Sequence, residues 1–282
     1  MNSVAYLLFI NTLRLIFAAY HPKTYFCTNC LKMAIIGSEI TRLTEVDSTN
    51  RFLMDWLTRE KLTEGTLVIS DFQTAGRGTD GSKWESEPGR NLTFSFVLYP
   101  SFLVIEAQFY LNKIISLGLT DLVSEVLPRR DDIRIKWPND IFIGNHKVAG
   151  TLIQNGVKGS QFDFSVIGIG ININQESFSG EASNPVSLMM VAETAFDLDE
   201  MLSRTLAKIE HRLNQLKQGA KKEIDEDYLK LLYRMQQLSG YIYKGNPIQA
   251  RIIGVNRYGQ LILEIPGEKI IECDLKEIKF EI

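Results

Sequence analysis

Residues 76–84 read GRGTDGSKW, with three glycines within six residues, Arg77 between the first two, and Lys83 and Trp84 closing the run. Glycine at this density lets backbone approach a ligand or change shape. Arginine among the glycines suits an anion. A second dense stretch, Lys136-Trp137-Pro138-Asn139-Asp140, places a cation, an amide and a carboxylate at the end of a predicted strand. Pro138 keeps Trp137 out of the helical region and fixes a turn. Lys147-Val148-Ala149-Gly150 follows after one tight turn, so Lys147 lies near that cluster, and the small Ala149 and Gly150 leave room for a ligand. A third stretch, residues 168–174 (GIGININ), carries glycines on one face of a strand. Glycine inside a strand costs stability and often marks close approach of a ligand or backbone. Asn172 on that face has the amide needed to read the edge of a heterocycle.

Several familiar chemistries are excluded. Gly76-x-Gly78-x-x-Gly81 matches the dinucleotide fingerprint as a string, but that motif needs a helix starting in the glycine turn. Here the loop runs through Ser86-Glu87-Pro88-Gly89 into a strand. Gly81 is followed by Ser82-Lys83, so the P-loop string is also absent. His21, His146 and His211 stand in no recognisable triad or metal-ligand cluster. Cys27-x-x-Cys30 lacks a second pair or a suitably spaced histidine pair, and reads as two unpaired thiols. With Cys273, three cysteines in all argue against a disulfide framework and fit a reducing compartment.

The elements that must position these residues show as periodicities. Residues 40–46 read as a strand, and Asp47-Ser48-Thr49-Asn50 supplies N-cap residues for a helix to about 60 with Phe52, Leu53, Trp56 and Leu57 on its apolar face. Strands are predicted over 66–71, 91–99 (Leu92, Phe94 and Phe96 alternating) and 133–137. A hairpin of 141–143 and 147–154 turns at Gly144-Asn145, and a long apolar strand follows over 162–173. An amphipathic helix covers 106–126. Residues 175–196 read as a loop with a helical turn, and 199–218 and 221–237 as helices. From Tyr241 the chain is strand-like, with turns at 245–246, 258–259 and 266–267, the pattern of a small β module.

The chain has 282 residues, 45% apolar and 23% charged, enough for a sizeable core. A net charge of −3 does not suit a general nucleic-acid binder. Residues 4–20 are the most apolar part, but Arg14 interrupts them, no positive region precedes them, and the unbroken run is too short to span a bilayer. We expect translation to start at Met33, with 1–32 an upstream extension or poorly ordered tail; the alternative is a membrane-associating helix. The expected division is an extension at 1–39, a catalytic domain at 40–237 and a β domain at 238–282.

Taken in order, Asp47-Ser48-Thr49-Asn50, Gln73-Thr74-Ala75-Gly76-Arg77-Gly78, Lys83-Trp84, Lys136-Trp137-Pro138-Asn139-Asp140, Lys147-Val148-Ala149-Gly150 and Gly168-Ile169-Gly170-Ile171-Asn172 resemble the motifs of biotin protein ligases over roughly residues 40–282. The resemblance implies an α+β fold: a class II synthetase-like mixed sheet, largely antiparallel, with packed helices, then an SH3-like barrel. It implies an ATP-dependent, Mg²⁺-requiring synthesis of biotinoyl-AMP, then transfer of biotin to a lysine of a biotin carboxyl-carrier protein. By the same resemblance Ser48, Thr49, Asn50 and Gln73 hold the ring of biotin. Gly76, Arg77, Gly78, Thr79 and Gly150 surround its tail, and Lys147 and Arg77 are catalytic. Lys83, Trp84, Asn139, Asp140, Lys147 and Asn172 serve ATP, Asp140 also being the candidate for the metal. The segment 175–188 orders over the adenine. A cytoplasmic enzyme is expected, with a homodimer open and neither nucleic acid nor membrane as partner, the stretch before Ile40 being too short for the DNA-binding domain of some relatives. Thr79 and Ser82 stand where the family's loop commonly has arginine, and Asp80 adds negative charge, which predicts weaker retention of the adenylate. A lipoate or octanoyl ligase and a non-enzymatic biotin sensor are the alternative readings.

Overall fold

The computed structural model describes residues 35–179, 184–267 and 269–281. The expectations on the N-terminal extension up to residue 34, including Cys27-x-x-Cys30, and on 180–183 of the adenine loop lie outside the described residues.

Seven strands form one sheet: β1 (Ile40–Val46), β2 (Leu67–Gln73), β3 (Leu92–Leu98), β4 (Ile133–Lys136), β5 (Asp140–Ile143), β6 (His146–Lys158) and β7 (Gln161–Ile171), in the order β1-β2-β3-β7-β6-β5-β4. Only β1 and β2 run parallel; the other neighbours are antiparallel. Helix α1 (Thr49–Leu57) packs on β2, β3 and β7, with Leu53 against Val68, Val97 and Val166. On the opposite face Leu92, Phe94, Phe96, Ile167, Ile169 and Ile171 join the main core with α2 (Phe109–Val126). A short α3 (Leu188–Ala192) precedes α4 (Leu198–Lys217), which lies along α2, and α5 (Lys221–Lys230) packs against both. The alternation of large apolar with small polar residues in β3 therefore assigns Phe94 and Phe96 to the core, and Thr93 and Ser95 to the α1 face. Buried Lys113 of α2 meets Asp225 of α5 at 2.6 Å, and the Tyr110 hydroxyl donates to the same carboxylate at 2.9 Å.

The chain then enters a second, five-stranded antiparallel sheet consistent with an SH3-like domain: β8 (Leu238–Tyr243), β9 (Asn246–Val255), β10 (Leu261–Ile265), β11 (Lys269–Cys273) and β12 (Ile278–Phe280), in the order β11-β10-β9-β8-β12. The helix expected over 221–237 stops at Lys230. Beyond it Ile135 donates to the Leu231 carbonyl, Tyr233 to that of Ile135 and Gln236 to that of Ile252, each at 2.8–2.9 Å. Arg234 and Gln236 take positive φ of 59° and 61°. Pairing with β4 and β9 outweighs helix propensity there, which alone would continue the helix. Among the described residues no helix is long and apolar enough to cross a membrane.

Candidate active site

Beyond that helix, cross-strand register lines the α1 face of the sheet with two rows. Ser95 of β3 pairs with Gly168 of β7, and Gly168 with Leu152 of β6. Two residues further along each strand, Thr93 pairs with Gly170, Gly170 with Gly150, Gly150 with Asp140 of β5, and Asp140 with Lys136 of β4. Directly paired residues share a face. The rows therefore put glycine at the centre, polar groups at the β3 end and charged groups at the β4 end.

An inner pocket opens on the first row. Thr49 donates its backbone N–H to Gln73 Oε1 at 2.8 Å, and its hydroxyl lies 2.7 Å from that of Ser95. Ser95 donates to Asn50 Oδ1 at 2.5 Å. The Asn50 amide donates to the Leu152 carbonyl (3.1 Å) and to Gln154 Oε1 (3.2 Å). A Cβ on Gly168 would stand 2.1 Å from Asn50 Oδ1, so the glycine is what lets this amide lie on the strand. Ser48, Arg77, Gly78, Thr79 and Gly150 complete the lining.

A larger outer cleft lies along the β4 end of the second row, lined by Lys83, Trp84, Glu85, Lys136, Asp140, Phe142, Lys147, Asn172, Phe178 and Pro185 among others. Thr79, Trp84, Asp140 and Lys147 line both cavities, so the two meet there. Lys147 Nζ is 2.6 Å from Asp140 Oδ1 and 5.7 Å from the centre of the Trp84 ring. That ring lies against Gly170, where a Cβ would come within 2.3 Å of it.

The glycine-rich stretch is a small hairpin. Arg77 and Lys83 pair antiparallel, Gly78 N–H donates to the Ser82 carbonyl at 2.7 Å, and Trp84 N–H to that of Gly76 at 3.0 Å. A 3₁₀ turn over Thr79–Gly81 closes its tip, where the Ser82 hydroxyl donates to the Thr79 carbonyl. Ser82 thus spends its hydroxyl within the loop. The hairpin is tied to the segment after β7, because Ser179 donates both its N–H (2.7 Å) and its hydroxyl (2.6 Å) to Glu85.

The sequence-predicted residues gather around these two cavities with two exceptions, Gly76 and Asn139, which line neither. Asn139 is buried and donates to the Thr151 carbonyl at 2.5 Å, joining the turn before β5 to β6. Asn172 borders the outer cleft, but its amide donates to the carbonyls of Lys147 (3.4 Å) and Val186 (3.2 Å). It holds the chain after residue 184 against β6, and its buried Oδ1 has no partner among the described residues. The turn 137–140 is fixed from outside the sheet: Trp137 Nε1 donates to the Gly259 carbonyl of the β9–β10 turn, and Tyr228 Oη to the Pro138 carbonyl, both at 2.9 Å. Ser95, Gln154, Leu152 and Lys136 were not singled out from the sequence as site residues. The alternation of β3, which turns Ser95 away from Phe94 and Phe96, is the signal that points to Ser95.

A polar-ended inner pocket and a cation-lined outer cleft, joined at a lysine on a mostly antiparallel sheet, define a protein that brings two ligands together. Residues 43–172 match the model of the biotin/lipoate A/B protein ligase family. The biotin–[acetyl-CoA-carboxylase] ligase of Paracoccus denitrificans is 30% identical over 164 residues, covering 57% of this chain and 67% of that protein. The bifunctional ligase/repressor BirA of Escherichia coli is 29% identical over 242 residues, 82% of this chain and 71% of that protein. The Bacillus subtilis BirA is 32% identical, but the match spans 44% of its length. Among solved structures, the Aquifex aeolicus biotin protein ligase in complex with biotin and ATP superposes with a TM-score of 0.72 at 26% identity, covering 86% of this chain and 99% of that one. The chain belongs to the biotin/lipoate A/B protein ligase family.

Proposed function

We infer that the protein is a biotin protein ligase, which forms biotinoyl-5′-AMP from biotin and ATP and passes the biotin to a lysine of a carrier protein such as that of acetyl-CoA carboxylase. The observation that carries this reading is the junction: Lys147 borders both the inner pocket and the outer cleft. That is where a carboxylate held in one and a phosphate held in the other must meet.

The inner pocket suits the bicyclic ureido ring of biotin. Its end is built from hydroxyl and amide groups of Thr49, Asn50, Gln73 and Ser95, bonded to one another so that their geometry is fixed before a ligand enters. The dithiolane of lipoate or an alkyl chain offers these groups no donor or acceptor, whereas the ureido ring adds hydrogen bonds at about 0.5–1.5 kcal/mol each. In the first step a carboxylate oxygen of biotin attacks the α-phosphorus. The phosphoanhydride bond breaks, and pyrophosphate leaves with the electron pair. Two anions must approach, so fixed cations are needed. Lys147 supplies one at the junction and Arg77 the other from the hairpin. Asp140 now neutralises Lys147 and faces the cleft where Mg-ATP enters. Asp140 is the residue that would hold such a Mg²⁺, which would neutralise phosphate charge there. In the second step the neutral amine of the carrier lysine attacks the acyl carbon, the mixed-anhydride C–O bond breaks, AMP leaves, and the amine loses its proton to solvent. The acyl phosphate is prone to hydrolysis, and the hairpin carrying Trp84 covers the place where it forms. A catalytic part at 40–237 and a carboxyl-terminal module at 238–282 follow the break between the two sheets. A reaction that consumes ATP supports the reading of a cytoplasmic enzyme.

The test is biotin-dependent ATP–pyrophosphate exchange together with labelling of an apo carrier domain. Wild type should do both, and Lys147→Ala and Arg77→Ala should each lose on the order of 10²–10³ in the first step. Preferential labelling with lipoate, or exchange that ignores biotin, would overturn the reading.

A further inference from the structure

The outer cleft contains one cation for which the reaction above has no use. Lys136 ends β4, the last strand of the sheet, one place beyond Asp140 in the second row. Its ammonium lies 5.4 Å from the centre of the Phe142 ring and 5.0 Å from that of Phe280, a residue of the carboxyl-terminal sheet. Among the described residues it has no hydrogen-bonding or ion-pair partner. Burying a cation without an anion is costly. The cost shows in its acidity: burial holds Lys136 below the ordinary lysine range, Lys147 and Arg234 push the same way, and Asp140 pushes back. Lys147 relieves its own charge on Asp140 at 2.6 Å, and Lys136 has no such contact. A half-buried ammonium with no anion beside it, in a cleft that two other lysines also line, is a site for an anion that arrives from outside.

We propose that Lys136 binds the terminal phosphates of the nucleotide and the pyrophosphate that departs from it. The proposal rests on the ligase reading and adds the direction in which the triphosphate lies. The α-phosphate has to stand at Lys147, the residue shared by both cavities. The base lies toward Asn172 and Pro185, on the β7 side of that lysine, and the acyl group toward Gly150 and Gly170. The course left for the β- and γ-phosphates is outward along the row, across Asp140 to Lys136. From β6 to β4 this is two strand spacings, about 10 Å, a span that a triphosphate and a lysine side chain cover together. When the phosphoanhydride bond breaks, the electron pair stays on the pyrophosphate oxygen, and the ammonium of Lys136 hydrogen-bonds that anion without giving up its proton. The rings of Phe142 and Phe280 flank the ammonium, and Phe280 makes the carboxyl-terminal sheet part of the phosphate site.

The experiment compares wild type, Lys136→Met and Lys136→Arg in biotin-dependent ATP–pyrophosphate exchange, in direct binding of biotin and of AMP, and in single-turnover transfer from purified biotinoyl-AMP to apo carrier. Exchange by wild type establishes the ligase reading independently. Lys136→Met should then raise KM for both ATP and pyrophosphate on the order of ten- to hundred-fold. Its affinity for biotin and AMP should stay within about two-fold, as should transfer from the purified adenylate, which carries no phosphate beyond the α. Lys136→Arg should restore much of the loss. Unchanged KM for ATP and pyrophosphate would overturn the proposal, as would a parallel loss of AMP binding and adenylate transfer, the mark of a structural lysine.

Discussion

Gly168→Ala tests whether the inner pocket is built as described. The added Cβ would lie 2.1 Å from Asn50 Oδ1, 2.7 Å from its Cγ and 3.0 Å from its Nδ2. Reaching ordinary contact requires the amide to retreat by about 1 Å or more. That amide is short, buried and held at three points, by Ser95, the Leu152 carbonyl and Gln154. Three hydrogen bonds at about 0.5–1.5 kcal/mol each are strained or broken, and the buried Ser95 hydroxyl loses its acceptor. Replacing glycine returns about 0.4–1 kcal/mol through the unfolded chain. The net loss of stability is about 2–4 kcal/mol, and the biotin Kd should rise on the order of 10- to 10³-fold as the polar end loses its shape. Calorimetric titration with biotin and denaturant unfolding measure the two effects. Asn50→Ala removes the atoms that clash, so in that background the extra cost of Gly168→Ala should largely vanish, a coupling that a double-mutant cycle reads directly. Gly254→Ala is the control, since its Cβ would meet only Ile262 Cδ1 at 3.7 Å. A Gly168→Ala protein that binds biotin like wild type would refute this account of the pocket. A cost that persists in Asn50→Ala would place the clash elsewhere.

Other outcomes follow from the same geometry. Gly170→Ala should expel the Trp84 indole, whose nearest atom would be 2.3 Å from the new Cβ; adenylate formation should fall and tryptophan emission shift to the red. Trp137→Phe leaves the Gly259 carbonyl without its indole donor; a loss of about 1–2 kcal/mol should lower Tm by roughly 2–8 °C and raise KM for ATP more than for biotin. Thr79→Arg should add a cation to the hairpin and slow dissociation of biotinoyl-AMP by roughly ten-fold, seen by stopped-flow release; unaltered release would mean that the hairpin's missing arginines are not what sets retention. Tyr110 is pushed up to about 12 by burial, then by the Asp225 carboxylate. Its contribution to stability is therefore complete below about pH 10 and lost as pH rises toward 12, and Tyr110→Phe should flatten that part of the denaturant midpoint profile.

Local pattern was enough for most elements and for the residue types of the site. Period-two alternation marks β3, and the glycine spacing marks the hairpin and the bare face of β7. The end of α5 escaped because residues 231–236 have nothing against a helix; they leave it to pair with Ile135 and Ile252, partners about 100 residues before them or 20 after them in the chain. Ser95 and Gln154 escaped for a related reason. Their role comes from Asn50, which reaches them only once β3, β7 and β6 lie side by side. Asn139 and Asn172 carry the right chemistry for a ligand, but backbone carbonyls take up their amide protons, which a list of residue types does not reveal. Pro138 marks the turn 137–140 locally, but its anchoring depends on Tyr228 and on Gly259 of the second sheet, which no local pattern reveals.

The sheet works as a ruler for the reaction. Antiparallel register fixes which residues stand opposite, and one strand spacing is about 4.8 Å, so the row Thr93–Gly170–Gly150–Asp140–Lys136 sets distances that loop movements do not alter. Two adjacent glycines in that row remove side chains where the acyl group and the α-phosphate have to touch. The charged residues begin one strand later, so the cations face phosphate while the ring of biotin sees only neutral donors and acceptors. The Lys147–Asp140 pair belongs to this arrangement. Lys147 and Asp140 neutralise each other at 2.6 Å, and the pair holds the lysine where the two cavities meet. The hairpin that carries Trp84 is then left to keep water from what forms at that lysine.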